Sequence, residues 1–229
     1  MNNWFDLLGV FDLETTGVDT STARIVSAHV GLLDESGAVI ERDDWLADPG
    51  IEIPEQASAV HGITTERARA EGAPAANVVA EIIETLRRLT ERGIPIVIYN
   101  APYDLSLLHA EALRHHLEPL GEPGPIIDPL VIDKAVDRYR KGKRTLVLAA
   151  EHYGVQLDAA HDAGADAIAA GRVAQAIGRT FPDELGVTAE DLHGRQEVWF
   201  AEQARSFQDY IHRVKGDTSF VAPTAWPVR

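Results

Sequence analysis

The chain has 229 residues, 45% hydrophobic and 25% charged, a globular composition long enough to bury one sizeable core. It contains no cysteine, which excludes disulfides and thiolate metal sites and leaves carboxylates and histidines as the only metal donors. A net charge of −15 argues against a broad electrostatic grip on nucleic acid, yet it suits a local acidic site that recruits divalent cations.

Taken in chain order, "LLGVFDL" (7–13) reads as a buried strand, and "RIVSAHVGLLD" (24–34) and "AVIERDDWL" (38–46) as two more joined by the turn "DESG". Three strands with one short reversal predict an antiparallel meander. From Pro54 the pattern changes to short helical pieces broken at Gly62 and Gly72, then a helix over 73–93 with apolar residues at helical spacing. "IPIVIYN" (94–100) reads as a short strand, "APYDLSLLHAEALRHHL" as a helix, and "GPIID" as another strand. Helices are predicted over 129–140, 145–153, 163–179 and 188–213, followed by an irregular tail that Phe220 and Trp226 could pin to the body. Strands first, then alternating helix and strand, then helices: the fold class is α/β, a mixed sheet whose later strands run parallel, with helices on both faces. No apolar run approaches the ~20 residues of a membrane span. The start "MNNWFDLLG" lacks the pattern of a signal peptide, so the expected location is cytoplasmic, with no membrane partner.

Three acidic elements stand out. "GVFDLETTG" (9–17) places Asp12 and Glu14 two apart, hence on one face of a strand. Buried carboxylates need water, a positive partner or a metal ion. Thr15, Thr16 and Gly17 follow as a small polar turn whose amides could meet a substrate. "NAPYD" (100–104) puts Asp104 in the opening turn of a helix, at the carboxyl end of a strand, where open α/β sheets bind ligands; for Asp104 alone, complementing the helix dipole is the competing reading. In "HDAGADA" (161–167) Asp162 suits a helix N-cap and Asp166 lies one turn in, beside Ala163, Gly164, Ala165 and Ala167, which permit close approach.

D-x-E-T-T-G, N-x-x-Y-D and H-x-x-x-x-D, in this order, resemble the DEDDh (DnaQ-like) group of 3′–5′ exonucleases, which includes the proofreading epsilon subunit of the bacterial replicative polymerase. "IPEQASAVHGIT" (53–64) also resembles a segment between that family's first two motifs. The match covers roughly residues 7–180; it implies an exonuclease domain over 1–180, with 181–229 a C-terminal helix and tail packed on the same domain. It further implies a ribonuclease-H-like sheet, in agreement with the strand reading. Carried over, Asp12, Glu14, Asp104 and Asp166 become the four acidic residues and His161 the general base. Thr15, Thr16, Gly17, His61, Ile63, Asn100 and Tyr103 become the candidates for contact with the terminal nucleotide. Leu13 departs from the small polar residue of the epsilon subunit, at a position expected to point away from the site.

Four converging carboxylates repel one another, and hard divalent cations, Mg²⁺ or Mn²⁺, relieve the repulsion. The resemblance implies two ions, Asp12 bridging both, Glu14 and Asp166 completing the first and Asp104 holding the second, with hydrolysis releasing nucleoside 5′-monophosphates. His161, with an unperturbed pKa of ~6.5, suits proton acceptance near neutral pH. The resemblance implies a nucleic-acid 3′ end as partner; the epsilon-like segment favours DNA, with RNA trimming as in oligoribonucleases the alternative and a polymerase subunit a further candidate partner. Two other readings are an aspartyl-phosphate phosphatase, which lacks its second aspartate here, and a non-catalytic end-binding protein, which a complete set of five chemical residues disfavours.

Weaker signals remain. "RYRKGKR" (138–144) carries five basic residues in seven and reads either as a phosphate-tracking loop or as a solvated one. "QEVWF" (196–200) resembles clamp-docking pentapeptides, but Trp199 and Phe200 read better as core-facing. Asp128 reads as a helix cap, His29 and His109 as structural, His115 and His116 as a helix terminus, and Asp133 and Asp137 as a solvated face.

Overall fold

The computed structural model describes residues 3–157 and 162–229. The alternating run at the start becomes β1, Leu8–Thr15, which pairs antiparallel with β2, Ile25–Leu33, and β2 with β3, Val39–Asp48. After Pro54 come α1, Glu55–His61, and α2, Thr65–Glu71, each closed at the expected glycine, Gly62 and Gly72. A two-residue strand β4, Ala73–Pro74, leads into α3, Ala75–Glu91. The parallel strands β5, Ile96–Val97, and β6, Ile126–Ile127, flank α4, Ala101–Arg114. The remaining helices are α5, Pro129–Val136, α6, Leu146–His152, α7, Ala163–Thr180, α8, Pro182–Leu185, and α9, Ala189–Tyr210, which runs on into a π turn, Ile211–Lys215. The strand order is β4-β3-β2-β1-β5-β6, the ribonuclease-H-like mixed sheet flanked by helices that the sequence predicts.

Strand alternation sorts the core into two layers. Phe11 and Leu13 pack with residues of α3 and α4 on one face of the sheet, while Leu8 and Val10 pack with α5, α6 and α7 on the other. Asp12 and Glu14 continue the row of Leu8 and Val10, so their carboxylates point to the α7 side, and Leu13 points away, as expected. The sheet and the segment before β1 approach α7 closely because Gly164, Gly171 and Gly178 recur every seventh residue along the helix. A Cβ at Gly171 would stand 2.5 Å from Leu33 and Val10, and one at Gly178 2.5 Å from Phe5.

Several boundaries differ from the sequence reading. The strand expected over 94–100 is regular only over Ile96–Val97, although Ile96 N–H to Pro125 O (2.9 Å) and Ile98 N–H to Ile127 O (3.0 Å) extend its ladder. The helix expected over 129–140 stops at Val136, because the chain turns to bring Arg140 back onto Asp133. The solvated-face reading of Asp133 is therefore corrected: its side chain is fully buried between Arg140 and Arg144. In the tail Trp226 is buried in the core, whereas Phe220 packs edge-on against Phe207 near the surface. Among the described residues no helix is long and apolar enough to cross a membrane.

Candidate active site

The carboxyl ends of β1 and β5 and the first turns of α4 and α7 converge on one spot. Oxygen atoms of Asp12, Glu14 and Asp166 lie within 4.8 Å of one another. Asp104, in the first turn of α4 and buried, joins them electrostatically as the strongest charge acting on Asp12. A register shift between Glu14 and Thr15 ends the β1–β2 ladder at this point, as bulges beside functional sites do.

Burial raises the pKa of Asp12 well above the carboxylate range, and Asp104, Glu14, Asp166 and Asp162 push it further. Burial, then Asp166 and Asp162, lift Glu14 to about 7. Asp104 is raised by burial against the pull of the Asp104 and Leu13 backbone N–H groups. Among the described residues no Lys, Arg or His forms an ion pair with Asp12, Glu14 or Asp104. An all-oxygen donor set that is crowded and costly to ionise fits a hard divalent cation.

Each acid is held by local structure. Asp162 caps α7 by accepting the Ala165 N–H at 3.0 Å, which fixes the turn carrying Asp166. The missing Cβ of Gly164 would lie 3.1 Å from Arg42 Nη2 and 3.3 Å from His29 Nδ1. Buried His29, opposite Asp12 in the ladder, bonds Asp44 through Nδ1 at 2.8 Å, and Arg42 grips the same carboxylate. Asn100, in the left-handed region at φ 66°, turns the chain from β5 into α4. Asp128 accepts the N–H groups of Asn100, Ala101 and Leu130, each at 3.0 Å, thereby capping α5 and fixing the start of α4 together. Gln196 on α9 accepts the Asp128 N–H at 2.6 Å.

The candidate substrate contacts fall in two groups. Glu14, His61, Ile63 and Asp162 line one cleft of about 430 Å³, with Arg42 and Arg67 on its wall. Burial lowers the pKa of His61 against the opposing pull of the Thr15 backbone, and its Nδ1 accepts the Ile63 N–H at 3.2 Å. Thr15, Gly17 and Tyr103 form a second group: the Thr15 hydroxyl donates to the Gly17 carbonyl at 2.9 Å, and the Tyr103 hydroxyl sits against both residues. Thr16 is turned into the protein, its hydroxyl accepting the Arg24 N–H and its own N–H donating to the Arg24 carbonyl, both at 2.9 Å. Asn100 is exposed, immediately before the first residue of α4. His161 lies outside the described residues. Arg42, Arg67, Asp44 and Asp128 were not legible as site residues, because only the fold brings β3, α2 and the end of β6 beside β1, α4 and α7; the seven-residue glycine spacing on α7 was a readable signal.

A cluster of carboxylates at the carboxyl ends of the central strands of a mixed sheet is the donor set of metal-dependent phosphoryl-transfer enzymes. The exonuclease family model, RNase_T, matches residues 10–174, and the chain belongs to this family. Membership of this family sets the phosphatase alternative aside. Relatives include a DNA polymerase III PolC-type of Pediococcus pentosaceus, 27% identical over 80% of this chain and 12% of the relative. A DNA polymerase III subunit epsilon-like protein of Rhodobacter capsulatus is 32% identical over 76% of this chain and 23% of the relative. Among solved structures, E. coli exonuclease I in complex with a dA16 oligonucleotide superimposes with a TM-score of 0.68 at 21% identity, over 79% of this chain and 42% of that one, a likeness of fold. The chain thus spans under a quarter of these two polymerase relatives and under half of exonuclease I.

Proposed function

We propose that the chain removes nucleoside 5′-monophosphates from DNA 3′ ends by metal-dependent hydrolysis. The observation that carries this reading is the convergence of Asp12, Glu14, Asp104 and Asp166, of which burial and neighbouring carboxylates make the first three costly to ionise without a cation. Asp12, Glu14 and Asp166 would hold one Mg²⁺ or Mn²⁺, and Asp104 with Asp12 a second. Bound there, the cations supply Lewis acidity to a water and offset charge building on the phosphate oxygens. His161 accepts the proton of the attacking water, the new P–O bond forms, and the bond to the departing 3′ oxygen breaks, that oxygen taking a proton from solvent. His61 and Ile63 offer the terminal nucleotide a half-apolar wall, and Arg42 and Arg67, paired with Asp44 and Glu71, lie on the same cleft. The DNA preference follows the polymerase relatives and the oligonucleotide bound to exonuclease I; a polymerase is the partner this reading favours.

The test is incubation of 5′-labelled and 3′-labelled DNA and RNA strands with and without Mg²⁺. A ladder from the 5′ label, immediate mononucleotide from the 3′ label, faster loss of DNA than RNA, and silence in chelator are expected. His161→Ala should slow hydrolysis by about 10²–10⁴-fold while leaving the metal-induced thermal shift in place. Undiminished cleavage by Asp12→Ala or Asp166→Ala, or release starting from the 5′ label, would contradict the assignment.

A further inference from the structure

The structure splits the basic run 138–144 into two sets. Arg140 and Arg144 turn inward onto the fully buried Asp133, which also accepts the Tyr153 hydroxyl at 2.6 Å. Arg144 reaches Asp133 Oδ2 at 2.7 Å and donates to the carbonyls of Asp133 (2.9 Å), Asp137 and Arg140 (3.2 Å). The Tyr99 hydroxyl donates to the Arg144 carbonyl at 2.8 Å. So many bonds onto one loop hold it in a single shape. What they leave outside is Arg138, Lys141 and Lys143, all exposed and without an ion pair among the described residues, around Tyr139, whose surface is 88% exposed.

A bare aromatic ring among three free cations buries nothing and repels nothing acidic, so a solvated loop gives no reason for the ring. Single-stranded nucleic acid supplies one: cations track its phosphates, and an aromatic ring stacks a base whatever its identity. Position agrees. Tyr99, which holds the loop, directly precedes Asn100 at the carboxyl end of β5, the strand end that also delivers Asp104. On a chain of net charge −15, a rigid cationic platform at that end is where a polyanion can approach.

We propose that this loop holds the single-stranded stretch behind the 3′-terminal nucleotide, with phosphates on Arg138, Lys141 and Lys143 and one base stacked on Tyr139. The proposal deepens the exonuclease reading and rests on it. It is tested with the full chain by two measurements. In the first, anisotropy of a 5′-fluorescein dT12 strand in chelator reads binding without cleavage. Tyr139→Ala should weaken it by roughly 5-fold or more, and Tyr139→Phe should not. Replacing Arg138, Lys141 and Lys143 together by Gln should reduce the slope of log affinity against log salt by about 2. In the second, the same variants should raise KM for dT12 at little changed kcat, while hydrolysis of thymidine 5′-(p-nitrophenyl phosphate), too short to reach the loop, stays within about twofold.

Unchanged binding and unchanged KM for dT12 would overturn the proposal, as would equal losses on the strand and on the small ester. A wild-type chain that hydrolyses neither substrate would count against the exonuclease reading, and the binding measurement would then still decide for or against the loop.

Discussion

Glu14 concentrates the energetics of the site in one side chain. In the unfolded chain its carboxyl titrates near the ordinary 4.5; in the folded, metal-free protein it is pushed up to about 7 by burial, Asp166 and Asp162. Between these values the folded state keeps a proton that the unfolded state has released, so stability is full below the lower value and falls as pH rises through the upper one. Asp12 and Asp104, raised in the same direction, act with the same sign. Metal-free protein should therefore lose Tm between about pH 5 and pH 8, and added Mn²⁺ should restore more of it at pH 8 than at pH 5. Glu14→Gln should raise the metal-free Tm at pH 8 relative to wild type and leave the two proteins closer at pH 5. Thermal melts across this range measure the difference; a Gln variant that tracks wild type at every pH would show that Glu14 does not carry this burden.

The secondary-structure elements divide into those that display the acids and those that fix the displaying elements. β1 and α7 were readable because a strand's two-residue period places Asp12 with Glu14, and a helix start places Asp162 and Asp166. The fixing devices were not readable in the same way. Asp128 follows a short strand and reads as the cap of α5, but its second duty, holding the Asn100 and Ala101 amides 28 and 27 residues back, depends on β5 and β6 lying side by side. Asp133 reads as solvated because its partners Arg140 and Arg144 lie on a loop without period, and only the fold turns them inward. Asp128→Ala would leave three amide groups at two helix starts without their acceptor. It should cost about 3 kcal/mol or more in chemical denaturation, at 1–3 kcal/mol for each buried group left unbonded. Its residual exonuclease activity should fall further than unfolding explains, because Asp104 rides on the loosened helix. A loss under about 1 kcal/mol would show that water replaces the carboxylate at no cost.

For the molecule as a whole, one sheet end gathers what the chemistry needs. Four acids come from β1, α4 and α7, a cleft with His61, Ile63 and two arginines lies beside them, and α9 with its tail braces the far strands. Gln196 links α9 to Asp128 and Ile126, and the Arg229 N–H donates to Ser106 on α4 at 2.8 Å. The match to the exonuclease family model ends at residue 174, and α9 and the tail lie outside it. Everything functional in this account depends on the acids acting as a seat for cations. The direct measurement is a crystal structure of the protein soaked in Mn²⁺, read by anomalous scattering. Two manganese peaks are expected, both touching Asp12, one shared with Glu14 and Asp166 and the other facing Asp104. No manganese density on these carboxylates, in crystals whose protein cleaves DNA in the same buffer, would contradict the account.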